Sequence, residues 1–525
     1  MSDLPVQNWR LRKAAVTSAG GVVAAQSAVA AKVGAGVLAA GGNAVDAAVA
    51  TGFALAAVEP WMSGLGGGGY MLVAPAAGSA VHAIDFGMVA PAALDPTDYP
   101  LAGPLAGGAA AGMFAWPAVV GDRNLKGFAA VAVPGQVDGM RLALERFGTI
   151  AWRAALAPAI DLAAAGLAVD WYACLSIAVA ARELAEFEGA RAFYLPDGLP
   201  PAPVDGPPPL LPLGNLARTL RRLAEAGARD FYEGALADSI VADMRAGGAR
   251  LSRADLAGYR ATVVPALEIP YRDAIVGAAP GLTAGPTLAR VLGGLAGRLT
   301  PGAAPGPAAY LAYAESLRDA YAERLATLGD SAPAPACTSH VSVVDRDGTM
   351  VALTQTLLSR FGAKVLLPDS GVLMNNGIMW FDPRPGRPNS LAPGRRPLSN
   401  MCPVVARRGG RPWLALGASG GRRILPAVAQ VVSFLLDFEM TLEEAFHCPR
   451  LDLSGDGPAV LDRRLPEAVA AAVAARLPVV RGELAAYPVL FASPNAVLRE
   501  NGVNSGIADV GSPWSAAVAA GGDSG

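Results

Sequence analysis

At Ala336 to Thr338 the chain changes texture within three residues, so any fold it adopts has to join two different patterns in one body. Ahead of the change, AYLAYAESLRDAYAERLATLG spaces Ala, Leu and Tyr as a helix does, from about Ala309 to Leu328. The prolines of SAPAPA, Ser331 to Ala336, then stop any helix. After it, HVSVVDRDGTMVALTQT alternates apolar and polar residues at Val341 and Val343, and again at Val351 and Leu353. Asp345-Arg346-Asp347-Gly348 between them supplies hairpin turn chemistry.

The helix pattern dominates the first part. Residues 25 to 58 read as two packed helices, with Gly41-Gly42 ending one and Asn43 capping the next. Ser63 to Ala74, SGLGGGGYMLVA, reads as glycines feeding a short apolar strand. The run has no GK[ST] ending and no GxGxxG between strand and helix, so close backbone approach explains it better than a phosphate loop. Pro134 to Gly166 reads as two or three helices separated by Gly148 and Pro158, and further helices are expected at Leu216 to Ala226 and Asp230 to Ala246. Pro196 to Gly214 reads as a proline-rich surface loop. Beyond the hairpin, strands are predicted at Trp413 to Leu416, Ala459 to Leu461, Val489 to Phe491 and Ala496 to Leu498, and helices at Ala427 to Leu436 and Pro466 to Arg476. Helix layers around antiparallel sheet follow.

The 525 residues suffice for two to three domains or one large layered fold. With 53% hydrophobic and 16% charged residues the chain is well packed rather than disordered. A net charge of −2 without a basic run excludes a nucleic-acid partner. The dispersed Cys174, Cys337, Cys402 and Cys448 offer neither a zinc signature nor a disulfide framework. Val22 to Ala40 is too weakly apolar to span a membrane, and the start has no leucine-rich signal, so a cytoplasmic protein without a membrane partner is expected. Three histidines, at 82, 340 and 447, make a metal site hard to build, and no GxSxG occurs; no metal or cofactor is expected.

Spacing alone does not name an enzyme here; longer strings do. CTSHVSVVDRDGTMVALTQT, LMNNG at Leu373 to Gly377, RPLSNMCPV at Arg396 to Val404 and LGASGGRRI at Leu416 to Ile424 resemble, in order and approximate spacing, small-subunit motifs of the γ-glutamyltransferase family. GGNAVDAAVA, GLGGGGYM, IDFGMVAP and VPGQVDGM resemble those of the large subunit, so the likeness covers about Gly20 to Val518. It implies an α/β (α+β) fold: the four-layer αββα sandwich of N-terminal-nucleophile hydrolases, built by two subunits of one precursor. The expected pieces are a helix-rich 1–337 and a small subunit 338–525. The heterodimer could pair further as a homo-oligomer.

The same resemblance implies roles. Thr338 falls at the threonine that cuts its own chain after Cys337 and then attacks substrate. Cutting creates the base: a free α-amino group titrates near ~7.7, within reach of its own hydroxyl. Thr356 falls at the second threonine, whose hydroxyl bonds to the nucleophile, and Gly420-Gly421 at the pair whose N–H groups hold the oxyanion. His340 reads as a structural hydrogen-bonding residue beside the nucleophile.

The substrate-reading positions depart from the family. The carboxylate-clamping arginine position is Gly87, an asparagine position is Leu358, amide and acid positions are Gly377 and Trp380, and the serine pair is Ser399-Asn400. A site lined by Leu358 and Trp380 suits a flatter, less charged acyl group than glutamate, with Arg360, Lys364, Arg395 and Arg422 as candidates for a displaced anion clamp. The expected activity is an autoprocessing amidohydrolase or acyltransferase acting on a small non-γ-glutamyl amide, like the oxamate amidohydrolases and cephalosporin acylases among the relatives. The alternatives are a glutathione hydrolase or γ-glutamyltransferase with a rearranged clamp, and a carbon–carbon hydrolase of secondary metabolism.

Overall fold

Alternating strand sequence and close-packing Ala/Gly helices sort into layers. The computed structural model describes Trp9 and residues 11–102, 117–202, 206–329, 336–486 and 489–521. Most of the SAPAPA linker lies outside them. With strands numbered along the chain, one seven-stranded antiparallel sheet runs β14 (Ala516–Ala519), β2 (Val22–Ala25), β8 (Ala336–Val344), β9 (Met350–Ser359), β3 (Gly68–Ala74), β4 (His82–Phe86) and β5 (Thr262–Pro265). The other runs β1 (Val16–Ser18), β13 (Val503–Ala508), β12 (Ser493–Glu500), β11 (Arg411–Ser419), β10 (Val404–Arg408), β7 (Ala274–Ala278) and β6 (Leu267–Tyr271).

Three apolar clusters separate four layers. Leu72 and Ala352 of the first sheet meet Val405, Ala415 and Val497 of the second between the sheets. Val23, Met71 and Leu353 face outward onto the helices Ala28–Ala39 and Ala44–Val58. Leu414 and Ala496 face outward onto Gly285–Arg298, Pro307–Thr327 and Ile424–Asp437. Burial at both faces explains why the central strands carry so few charges. Asn43 caps the helix Ala44–Val58, accepting from the Val45 and Asp46 amides while Asp46 returns a bond to the Asn43 amide. Such a box is worth about 1 kcal/mol.

The glycine run meets the sheet as the sequence suggested. A Cβ on Gly67 would lie 2.3 Å from the Thr356 carbonyl oxygen, and one on Gly69 2.2 Å from that of Thr354, so only glycine lets β3 lie this close to β9. Two expectations need correction. Pro158 does not divide a helix: Trp152–Ala165 runs through it, because Ala155, Leu156, Ala159 and Ala163 bury a continuous stripe. Val489 to Phe491 is not a strand; the Val489 carbonyl accepts from Arg423 Nη1 at 2.7 Å instead of joining a ladder. Smaller differences are a break at Gly234 within Asp230 to Ala246 and a two-residue strand, Leu210–Leu211, inside the proline-rich loop. No helix among the described residues is long and apolar enough to cross a membrane.

Candidate active site

The site forms where β8 leaves regular register. Cys337 pairs with Leu358, yet Ser339 pairs with Gln355, so β9 carries one extra residue, at Thr356-Leu357, and the bulge lies opposite Thr338. Past it, strand alternation turns Ser339 and Gln355 toward the helices, and Thr338, His340, Thr354 and Thr356 toward the second sheet. Thr338 and Thr356 are both buried. The Thr356 hydroxyl donates to the Cys337 carbonyl oxygen and accepts from the Leu358 amide at 2.8 Å. Thr356 therefore spends its single proton on the carbonyl of the Cys337–Thr338 peptide. Leu358 is held at φ +90°, a region non-glycine residues rarely adopt and one that costs on the order of 1–3 kcal/mol.

On the helix side a buried chain of donors runs under the bulge. Gln355 Nε2 gives its two protons to the Gly52 carbonyl (3.0 Å) and the Ser63 hydroxyl (2.9 Å). Ser63 donates to Ser339 (3.2 Å), and Ser339 to Glu59 Oε2 (3.1 Å). Burial pushes the Glu59 carboxyl up to about 8, with Ser339 and Arg360 only partly opposing it. Arg360 also reaches the Cys337 thiol, which burial raises. Glu59 follows the small-residue helix string and Ser63 opens the glycine run, and neither string by itself marks a functional side chain.

Gly420 and Gly421 follow β11 with φ of +139° and +64°. The turn they open, Gly421–Arg423, packs against β8. A Cβ on Gly420 would lie 2.9 Å from Ala492 Cα, so both dihedral and space demand glycine there. His340 is fully buried between the Thr354 hydroxyl (2.8 Å) and the Ser342 hydroxyl (2.9 Å), and burial drives its imidazole down to about 3. It is a neutral strut.

The remaining predicted residues divide. Leu358 and Trp380 sit in the apolar cluster between the sheets, fully and nearly fully buried. Gly377 donates its amide to Asn375 Oδ1 at 2.8 Å and lies against Ala132 and Met88. Ser399 and Asn400 are gripped by Arg324, whose guanidinium donates to the Ser399 carbonyl (2.9 Å) and Asn400 Oδ1 (3.3 Å). Of the four candidate clamp cations, Lys364 pairs with Glu183 at 3.2 Å, Arg360 lies under Cys337, Arg422 donates to the Ser454 carbonyl and Arg395 is exposed.

A different arginine comes to Gly87. Arg396 Nη1 donates to Asp85 Oδ1 (2.9 Å) and the Gly87 carbonyl (2.6 Å), and a Cβ on Gly87 would lie 3.1 Å from it. Arg396 opens the string RPLSNMCPV, so the sequence displayed it, but nothing in spacing ties it to a glycine 309 residues away.

With this geometry in place, comparisons with known proteins fall into one pattern. A family model described as gamma-glutamyltranspeptidase matches residues 30–337 and 331–519. The chain is 35% identical over 510 residues to the Acylase ACY 1 proenzyme of Pseudomonas sp. (strain V22), spanning 90% of this chain and 89% of that protein. It is 32% identical over 489 residues to the glutathione hydrolase proenzyme of Escherichia coli (strain K12), spanning 82% and 80%. In fold it is similar to the crystal structure of cephalosporin acylase from Bacillus halodurans, with a TM-score of 0.85 at 24% identity, covering 99% of this chain and 100% of that one. The paired seven-stranded sheets between helix layers are thus the N-terminal-nucleophile hydrolase sandwich. The chain belongs to the gamma-glutamyltranspeptidase family.

Proposed function

We propose that the chain is a precursor that cuts itself between Cys337 and Thr338, and that the freed Thr338 then cleaves a small amide whose acyl group is not γ-glutamyl. The observation that carries this reading is the Thr356 hydroxyl on the Cys337 carbonyl, one residue from Thr338. Thr338 Oγ1 adds to that carbonyl carbon, the C–N bond breaks, and the resulting ester is hydrolysed to a Cys337 carboxylate and a free Thr338 amine. The amine then takes the hydroxyl proton as Thr338 attacks substrate. The acyl–nitrogen bond breaks, the amine product leaves with that proton, and water resolves the acyl-Thr ester.

The Gly420-Gly421 turn beside β8 fits an oxyanion site, since left-handed glycines let amides approach a developing charge. Proenzymes among the relatives support a precursor that is cut in two, and a cut after Cys337 would leave 1–337 and 338–525. The non-glutamyl reading draws on Gly87, Leu358 and Trp380, which carry no charge, and on the acylase relative. Arg396 at Gly87 favours a second reading, a γ-glutamyl enzyme with a rearranged clamp.

The two separate on a panel of acyl anilides. Turnover of short uncharged acyl anilides well above γ-glutamyl anilide supports the first, and the reverse order defeats it in favour of the second.

A further inference from the structure

The donor chain beneath the bulge ends on a group the cutting and acyl-transfer steps leave unused. Its direction is fixed by Gln355: both Nε2 protons are spent on Gly52 and Ser63, so Ser63 passes its proton to Ser339 and Ser339 passes its own to Glu59. Gln136 Nε2 fills the Gln355 carbonyl at 2.5 Å, which fixes that amide's orientation. Every link from Gly52 to Glu59 is therefore a made bond, buried and without slack.

We propose that Glu59 is a positioning residue for the cut: it ends the donor chain that fixes Ser339, and through the Thr338–Ser339 peptide it orients the nucleophile. The inference rests on Thr338 being that nucleophile. Ser339 is the first regularly paired residue after Thr338, so its side-chain bond to Glu59 fixes the strand at the point where Thr338 lies opposite the bulge in β9. The charge state of Glu59 matters as well. The groups facing it are Ser339 and Cys337 from β8, Arg360 after β9, and Asp170 and Tyr172 at the start of Trp171–Leu184. With Asp170 and burial set against Arg360, the neutral acid prevails near pH 7, and no carboxylate charge stabilises the protonated form of the amine that the cut releases.

The test follows conversion of freshly synthesised full-length chain to two bands between pH 6 and 9.5. Glu59→Leu, which cannot accept from Ser339, slows cutting about 100-fold, the scale expected when a nucleophile is misplaced by ångströms. Glu59→Gln, neutral and still an acceptor for Ser339, restores the wild-type rate. Cutting of Glu59→Leu at the wild-type rate overturns the proposal, as does a Glu59→Gln protein that cuts no faster than Glu59→Leu.

Infrared spectra of uncut Thr338→Ala protein give a readout that needs no cutting. A protonated carboxylic-acid band is expected near neutral pH, and adding Glu59→Gln removes the Glu59 part of it; a spectrum that Glu59→Gln leaves unchanged overturns the charge argument. Should Thr338→Ala protein still split, the nucleophile assignment fails, while the band reports on Glu59 regardless.

Discussion

The hydroxyl of Thr356 donates to the carbonyl oxygen of Cys337, the oxygen on which negative charge gathers when the Cys337–Thr338 peptide is attacked. One donor aimed at such an oxygen is worth roughly 3–4 kcal/mol. Thr356→Val, equal in shape but without the proton, therefore slows conversion to two chains by about 100-fold or more, and Thr356→Ser recovers most of the rate. A gel time course of freshly made protein reads both, and a valine variant that cuts normally removes the hydroxyl from the mechanism.

Gly420 sits at φ +139° against Ala492, where no L side chain fits. Gly420→Ala displaces the turn and its amides. The expected result is a loss of about 100-fold in kcat on the best acyl anilide, with near-UV circular dichroism unchanged. Equal kcat would place the oxyanion elsewhere.

Gly87 and Arg396 compete for one space. A Cβ at position 87 meets Tyr70 Oη at 2.9 Å and Arg396 Nη1 at 3.1 Å, so Gly87→Ala costs about 1–3 kcal/mol by overpacking. Arg396→Ala in the same chain relieves part of that cost. The urea-unfolding cycle then shows coupling above ~0.5 kcal/mol, and strict additivity contradicts the packing account.

His340 gives the stability a pH signature. Its folded pKa is pushed down to about 3 while the unfolded residue titrates near ~6.5, so between these values the unfolded chain binds the extra proton. Stability is therefore intact above about pH 6.5 and falls with pH below it, approaching about 1.4 kcal/mol per unit from this one group. The slope of unfolding free energy against pH in His340→Asn protein should be shallower by about one proton over that window. Parallel slopes would mean the imidazole charges within the fold.

The residues that could be read from sequence are those whose signal is local. The alternation through Val341 to Leu353, the Asp345 turn and the Asn43 cap each act within a few residues, and each became the element it suggested. Pro158 misled because burial of a long Ala/Leu stripe outweighed one missing amide donor. Val489 to Phe491 misled because a strand needs a neighbour, and there a side chain from Arg423 takes the carbonyl. Arg396 at Gly87 and Ser339 on Glu59 join residues some 300 positions apart, so only the fold shows that they touch. Resemblance assigned roles around Thr338 because those residues lie in unbroken motif strings. It gave no sign that Arg396 lies at Gly87.

The proposed activity turns on the bond between Cys337 and Thr338. Mass spectrometry with N-terminal sequencing of the purified full-length protein tests it directly, beside a Thr338→Ala variant. The account predicts two chains in equal amount, the smaller beginning at Thr338, and a single uncut chain for the variant. A smaller chain with another first residue, or a Thr338→Ala protein that still divides at this bond, would contradict it.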